Sequence, residues 1–314
     1  MTEPSTTGAL PPNPSPAVPN VFVRLATGFI GAPIILLVLY LGPAWWWLLF
    51  VAVAAAIGAY EFFGMTHPGD LPGQVIGVAL TEAVIGVLWE FGGGAPVVAW
   101  GFGGVAPIAG HVAGGDARAL LTLIVLAPIV SLLIVLGRLG DVHTAAVRVM
   151  ANTFGPLYVG GALGAIVLLR RDGDVLGPHA GAGFVVVALS LSWASDTGAY
   201  FAGRFLGKHK LYEAVSPKKT VEGALGGLAA SLLSAVVAHA WFLPSLPLVD
   251  GLLLALVAGG LGQAGDLGES LLKRSFGVKD SGGIVPGHGG ILDRVDALLI
   301  TAALTYLYVR WFRM

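Results

Sequence analysis

The chain has 314 residues, a net charge of −1, 56% hydrophobic residues and only 11% charged ones. Soluble domains carry about 25% charged residues, so with a mean hydropathy of +0.83 the composition excludes an ordinary soluble domain and points to a polytopic membrane protein. The near-neutral charge argues against a nucleic-acid binder, and the lack of cysteine excludes disulfides, a thiolate nucleophile and a thiolate-bound metal.

Residues 1–20 are rich in Pro, Ser and Thr, have Glu3 as their one charged side chain and contain no apolar run. They read as a disordered tail, without the basic start and adjoining apolar stretch of a cleaved leader. Apolar runs long enough for a hydrocarbon core follow at 22–41, 44–63, 73–91, 94–112, 119–137, 149–169, 182–203, 221–243, 248–272 and 292–312. Trp45, Trp46 and Trp47 open the second and fit an interfacial aromatic belt. The run at 94–112, rich in Gly and Pro, decides whether there are nine or ten spans. The expected fold is an all-α polytopic membrane bundle. It forms one continuous membrane domain, with N-terminal helices over 21–180 and a catalytic region over 181–314. Gly160–Gly164 and Gly223–Gly227 are small-residue pairs that permit close helix packing. Packing within the chain is the simpler use, a homodimer face the other.

Loop charge sets the orientation. Two spans separate the loops 204–220 and 273–290, so the loops share a face. They carry Arg204, Lys208, Lys210, Lys218, Lys219, Lys273, Arg274 and Lys279, which makes that face cytoplasmic. Arg170 and Arg171 then fall on the opposite side, in conflict with the rule.

The chemistry-bearing stretch is 262–296, where acids, bases and His288 crowd between two apolar runs. Ionisable groups near hydrocarbon are costly, which makes them functional candidates. Helical spacing puts Asp266, Glu269, Ser270 and Lys273 on one stripe, and Asp293 and Asp296 share a face at the start of the last span. Carboxylates without thiols suit a hard cation such as Mg²⁺. Salt bridges with Lys273, Arg274 and Arg294 are the equal alternative. Between the two groups, Pro286-Gly287-His288-Gly289-Gly290 cannot be helical. Its amides can face an anion, while His288 is as open to a structural role as to a catalytic one. Upstream, Ser192, Asp196, Tyr200 and Arg204 recur every four residues as a polar stripe facing a cavity. Ser216 is expected to cap the next helix with Pro217 at its first position, which places Lys218, Lys219 and Thr220 at a phosphate-binding helix start.

Ser270-x-Leu272-Lys273-Arg274-x4-Lys279-Asp280-x-Gly282 followed by Pro286-Gly287-His288-Gly289-Gly290-Ile291-Leu292-Asp293-Arg294-Val295-Asp296 resembles the signature of the phosphatidate cytidylyltransferases. Val285 is a mild departure, standing where Ile, Leu or Phe is expected. The Ser195-Asp196-Thr197 and Ser216-Pro217-Lys218-Lys219-Thr220 blocks resemble further elements of that family. The likeness is specific over 190–300 and only topological before that. It implies CTP and phosphatidate as substrates and CDP-diacylglycerol and pyrophosphate as products. The enzyme would lie in the plasma membrane with its site facing the cytoplasm. Asp266 and Asp293 would hold Mg²⁺, alone or with a monovalent cation, with Lys273, Arg274 and His288 beside them. Substrate would be bound by Asp196, Ser216, Lys218, Lys219, Thr220, Lys279, Asp280, Gly289, Gly290 and Arg294. A CTP-dependent polyprenol or phytol kinase and a secondary transporter are the alternatives. No Walker loop, zinc helix or nucleophile elbow is present, nor is the Asp-Gly-x2-Ala-Arg pattern of enzymes that consume CDP-diacylglycerol.

Overall fold

The computed structural model describes residues 21–92, 115–138, 140–283 and 289–314. The tail over 1–20, the expected span over 94–112 and the Val285–His288 stretch lie outside them.

Helices α1 (Val21–Leu41), α2 (Ala44–Thr66), α3 (Leu71–Phe91) and α4 (Gly115–Arg138) are followed by α5 (Val142–Gly155) and α6 (Ala162–Asp172). These last two form one rod, joined by a π turn over Pro156–Gly161. Pro156 has no N–H to continue the α ladder, so the turn widens there. Then come α7 (Ala180–Leu206), a hairpin of β1 (Lys210–Tyr212) and β2 (Ser216–Thr220), and α8 (Val221–Val237). The chain ends with α9 (Leu248–Leu254), which runs through a π turn into α10 (Gly260–Ser275), and with α11 (Leu292–Phe312). Among the described residues eight helical rods are long and apolar enough to cross a membrane, beside the shorter apolar stretch Gly31–Leu41. The all-α membrane reading holds, with one small hairpin added.

The core gathers where α2, α6, α7 and α11 meet, around Phe63, Leu169, Phe184, Leu292 and Leu299. Large apolar side chains such as Leu121, Leu132 and Leu136 of α4 point outward, which hydrocarbon tolerates and water does not. Two of the three adjacent tryptophans, Trp45 and Trp46, are exposed as a belt requires, but Trp47 turns inward and donates from Nε1 to Ile166 O at 3.3 Å. The glycine pairs serve the interior. A Cβ on Gly227 would lie 2.8 Å from Ser195 O, and one on Gly160 would lie 2.6 Å from Thr81 O. Helices α7 and α8, and α3 and the π turn, are therefore in backbone contact inside the chain.

The helix ends form two polar faces. One holds the ends of α2, α4, α7 and α10 and the starts of α3, α5, α8 and α11. There Asp70, which accepts from Gly73 N at the start of α3, also pairs with Arg138 at the end of α4 at 2.7 Å. That guanidinium holds the Asp70 carboxyl below the usual range. The other face carries the two arginines that conflict with the rule. Arg170 and Arg171 end α6 and are not free loop charges. Arg170 is buried, donates from Nε to Leu39 O at 2.8 Å and from Nη2 to Gly42 O at 3.2 Å, and pairs with Asp174 at 2.8 Å. Arg171 pairs with Asp172 at 2.6 Å, donates to Trp89 O and to Gly92 O, and lies over the Trp89 ring. Both arginines satisfy carbonyls left over at the ends of α1 and α3 and are neutralised by neighbouring acids. Arg170→Ala removes these donors and is expected to cost about 2 kcal/mol of stability. It should appear as a lower unfolding temperature in detergent, and an unchanged temperature would remove the clamp from the account.

Candidate active site

The first polar face carries the ionisable cluster, and glycines decide how its two main helices approach. A Cβ on Gly265 of α10 would lie 2.5 Å from Ile300 Cγ1, and one on Gly262 would lie 3.1 Å from Thr301 Cγ2. Helices α10 and α11 thus run antiparallel at close range. The acidic stripe of one lies against the acidic start of the other.

Lys273 bridges them. Its Nζ is 2.5 Å from Asp293 Oδ1 and 3.5 Å from Glu269 Oε1. Asp293 is held from the other side by backbone amides, since Ser281 N and Gly290 N each donate to Oδ2 at 3.1 Å. Gly289 turns the chain into this geometry with φ at +78°, a value glycine adopts without cost. Asp266 pairs with Lys219 of β2 at 2.6 Å, a close ion contact without hydrogen-bond alignment. Glu269 is 1% exposed and its two oxygens have no hydrogen-bond partner among the described residues, while Asp296 Oδ1 accepts from Ala297 N at 2.7 Å. Asp296 lies in the field of Asp266 and Glu269, and Asp196 of α7 in that of Asp266, Lys219 and Arg294. Five carboxylates therefore face three cationic side chains.

A cavity of about 410 Å³ opens beside the cluster. Its walls are mostly apolar, with Ile35, Trp47, Phe50 and Leu163 among them, and at one end stand Asp196, Asp293 and Arg294.

The structure gathers Asp196, Lys219, Asp266, Lys273, Gly289, Gly290, Asp293 and Arg294 of the sequence-predicted residues. It does not gather all of them. Ser216 is not a helix cap but the first residue of β2. The cap of α8 is Thr220, whose Oγ1 accepts from Gly223 N at 3.1 Å. The pairing of β1 with β2 keeps the Ser216–Thr220 stretch extended. Lys218, Lys279 and Asp280 are exposed on the rim, and Arg274 is exposed and donates back to Val278 O at 3.1 Å. His288 lies outside the described residues. Of the polar stripe on α7 only Asp196 reaches the cavity, since Ser192 is buried in the core and Tyr200 and Arg204 are exposed.

Three further residues border the cluster. Glu61 of α2 is buried and accepts from Leu292 N at 2.9 Å. Ser281 donates from Oγ to the same oxygen at 3.3 Å. Tyr158, on the π turn, lies in the field of Asp266, Glu269 and Asp296. A lone acid in an apolar span was a usable signal for Glu61. A tyrosine in an apolar run gave none.

A family model described as the cytidylyltransferase family matches residues 22–312. The chain belongs to that family. Among its relatives is a phosphatidate cytidylyltransferase of Synechocystis sp., 49% identical over 126 residues, which are 40% of this chain and 42% of that protein. Proteins of the same name from Bacillus subtilis and Brucella suis are 44% identical over 129 and 161 residues. Those segments cover 41% and 49% of this chain, and 48% and 55% of the relatives. The matched segment spans about half the length of each relative.

For a cytidylyltransferase the cluster also tests whether a divalent cation fits. Among the described residues no three carboxylate or imidazole groups converge as a ready-made cage. Mg²⁺ does not ask for one, because it is commonly held by one or two carboxylates with substrate phosphates and water. The donors are all oxygen, Glu269 has two buried oxygens without a hydrogen-bond partner among the described residues, and the carboxylates outnumber the cations by two. The residues fit. Lys273→Met would leave Glu269 buried beside no cation, at a cost of about 3 kcal/mol. Thermal unfolding of the single variant and of Lys273→Met/Glu269→Gln should show stability falling and then returning, with activity lost in both.

Proposed function

We propose that this chain transfers the cytidylyl group of CTP to phosphatidate, giving CDP-diacylglycerol and pyrophosphate. The observation that carries the reading is the cavity that is apolar along its length and ends on Asp196, Asp293 and Arg294 beside the charged cluster. A lipid phosphate needs such a seat, with hydrocarbon walls for the chains and a charged end for the headgroup. The family match and the relatives' names support the same chemistry.

A phosphate oxygen of the lipid attacks the α-phosphorus of CTP. The new P–O bond forms as the bond from that phosphorus to the bridging oxygen of the β-phosphate breaks, and the electron pair leaves with pyrophosphate. The nucleophile is already anionic at neutral pH and needs no strong base. The barrier is repulsion between two polyanions, so catalysis is chiefly positioning and charge neutralisation. Lys219, Lys273 and Arg294 supply positive charge for the phosphates, and the Gly289–Gly290 turn allows the backbone to come close to them. Asp266 and Asp293 would hold Mg²⁺, alone or with a monovalent cation, which neutralises phosphate charge and orients the leaving group. Glu269 and Asp296, the most buried acids of the cluster, keep Lys273 and the start of α11 in place.

The site face is proposed to be cytoplasmic in the plasma membrane. Lys208, Lys210, Lys218, Lys219, Lys273, Arg274 and Lys279 lie toward it, whereas Arg170 and Arg171 opposite are internally neutralised. CTP would enter from the cytosol and the lipid from the bilayer.

Purified protein given phosphatidate, Mg²⁺ and CTP labelled in either the α- or the γ-phosphate tests the reaction. Label from the α-phosphate should enter the lipid, and γ-label should leave in pyrophosphate. The reverse would assign a CTP-dependent lipid kinase, and no reaction would favour a transporter. Asp293→Asn should lower turnover about 100-fold or more with normal expression, whereas wild-type turnover in that variant would overturn the site assignment.

A further inference from the structure

One buried acid ties the candidate site together from outside it. Glu61 stands on α2, is 4% exposed, and its Oε2 accepts from both Ser281 Oγ and Leu292 N. One carboxylate oxygen therefore holds both Ser281, after α10, and Leu292, at the start of α11. The fit leaves no spare room. A Cβ on Gly282 would lie 2.5 Å from Glu61 Oε1, and one on Gly290 would lie 2.1 Å from Ser281 Oγ and 2.5 Å from Glu61 Oε2. At both positions a Cβ would crowd the Glu61 carboxyl, and at Gly290 the Ser281 hydroxyl as well. The pinned residues in turn orient Asp293. Ser281 N and Gly290 N donate to its Oδ2, and Leu292 precedes it in the chain.

From this geometry we infer that Glu61 is a positioning residue for the reaction, acting through Ser281 and Leu292 on the orientation of Asp293. The inference rests on the cytidylyl-transfer reading. Glu61 is not among the residues that line the cavity. It is a peg shared by Ser281 and Leu292, and its own helix fixes that peg within the core beside Phe62 and Phe63. A glutamine can keep the same two contacts, because its amide oxygen accepts as Oε2 does. An alanine cannot, and it opens space next to Gly282 and Gly290. A misplacement of catalytic groups by about 1 Å costs on the order of 100-fold in rate.

The test compares the whole chain with Glu61→Gln and Glu61→Ala in detergent. It measures kcat and KM for CTP and the hydrogen exchange of backbone amides. Glu61→Ala should lower kcat by about 100-fold with KM for CTP little changed, and should speed exchange at Ser281, Gly290 and Leu292 but not along α2. Glu61→Gln should stay near the wild type in both measurements. Wild-type kcat in Glu61→Ala would overturn the inference. So would equal loss in both variants, which would assign the effect to charge, or faster exchange throughout α2, which would assign it to unfolding. A wild-type chain without cytidylyl transfer would instead sink the functional reading, while the exchange measurement would still report whether Glu61 pins the segment.

Discussion

Lys273 Nζ stands between two carboxylates, Asp293 at 2.5 Å and Glu269 at 3.5 Å, in a bundle built almost wholly of apolar residues. Isolated charges in such surroundings are costly, and removing one member of a buried pair leaves the other uncompensated. Once Glu269 is buried, a cation must lie beside it, and Lys273 one turn along α10 supplies it. Once Lys273 reaches Asp293, α11 must start against the end of α10. The glycines at 262 and 265 make that approach sterically possible. Ser281 N and Gly290 N then reach Asp293, and Glu61 fastens Ser281 and Leu292 from α2.

The same economy of charge organises the opposite face. Arg170 and Arg171 sit where a count of loop charges would place them as topological errors. Their guanidinium groups neither face solvent freely nor lack acids. They cap the carbonyl ends of α1 and α3 and pair with Asp174 and Asp172. One face therefore consumes its charge internally. The other keeps an excess of carboxylate over cation in its cluster and a rim of exposed lysines outside, which suits the proposed chemistry of polyphosphates at a membrane.

Much of this was legible in the chain itself. The spans announced themselves by length and hydropathy, and the α10 and α11 acids stood out because charge is rare in this sequence. Helical spacing alone put Asp266, Glu269 and Lys273 on one stripe. What failed was local or long-range. Ser216-Pro217 has the residue types of a helix start, but pairing with Lys210–Tyr212 holds it as a strand and hands the cap to Thr220. Trp47 looked like its two neighbours, and only packing against α6 separates it from them. Glu61 meets Leu292 across 231 positions, a contact no periodicity encodes. Tyr158, on the π turn that begins at Pro156, lies in the field of the acids. Residues whose role depends on partners from distant helices were the ones the sequence could not place.

We propose that carboxylates exceed cations at this face so as to admit a divalent ion with the nucleotide phosphates. Mn²⁺ in place of Mg²⁺ allows it to be read directly. The whole chain in nanodiscs, with CTP and without lipid substrate, would be titrated with Mn²⁺ and the free ion followed by electron paramagnetic resonance. The account predicts a saturable tight site in the wild type that needs CTP and is lost in Asp266→Asn/Asp293→Asn. Equal Mn²⁺ uptake by the wild type and that variant, beyond what CTP alone binds, would contradict it.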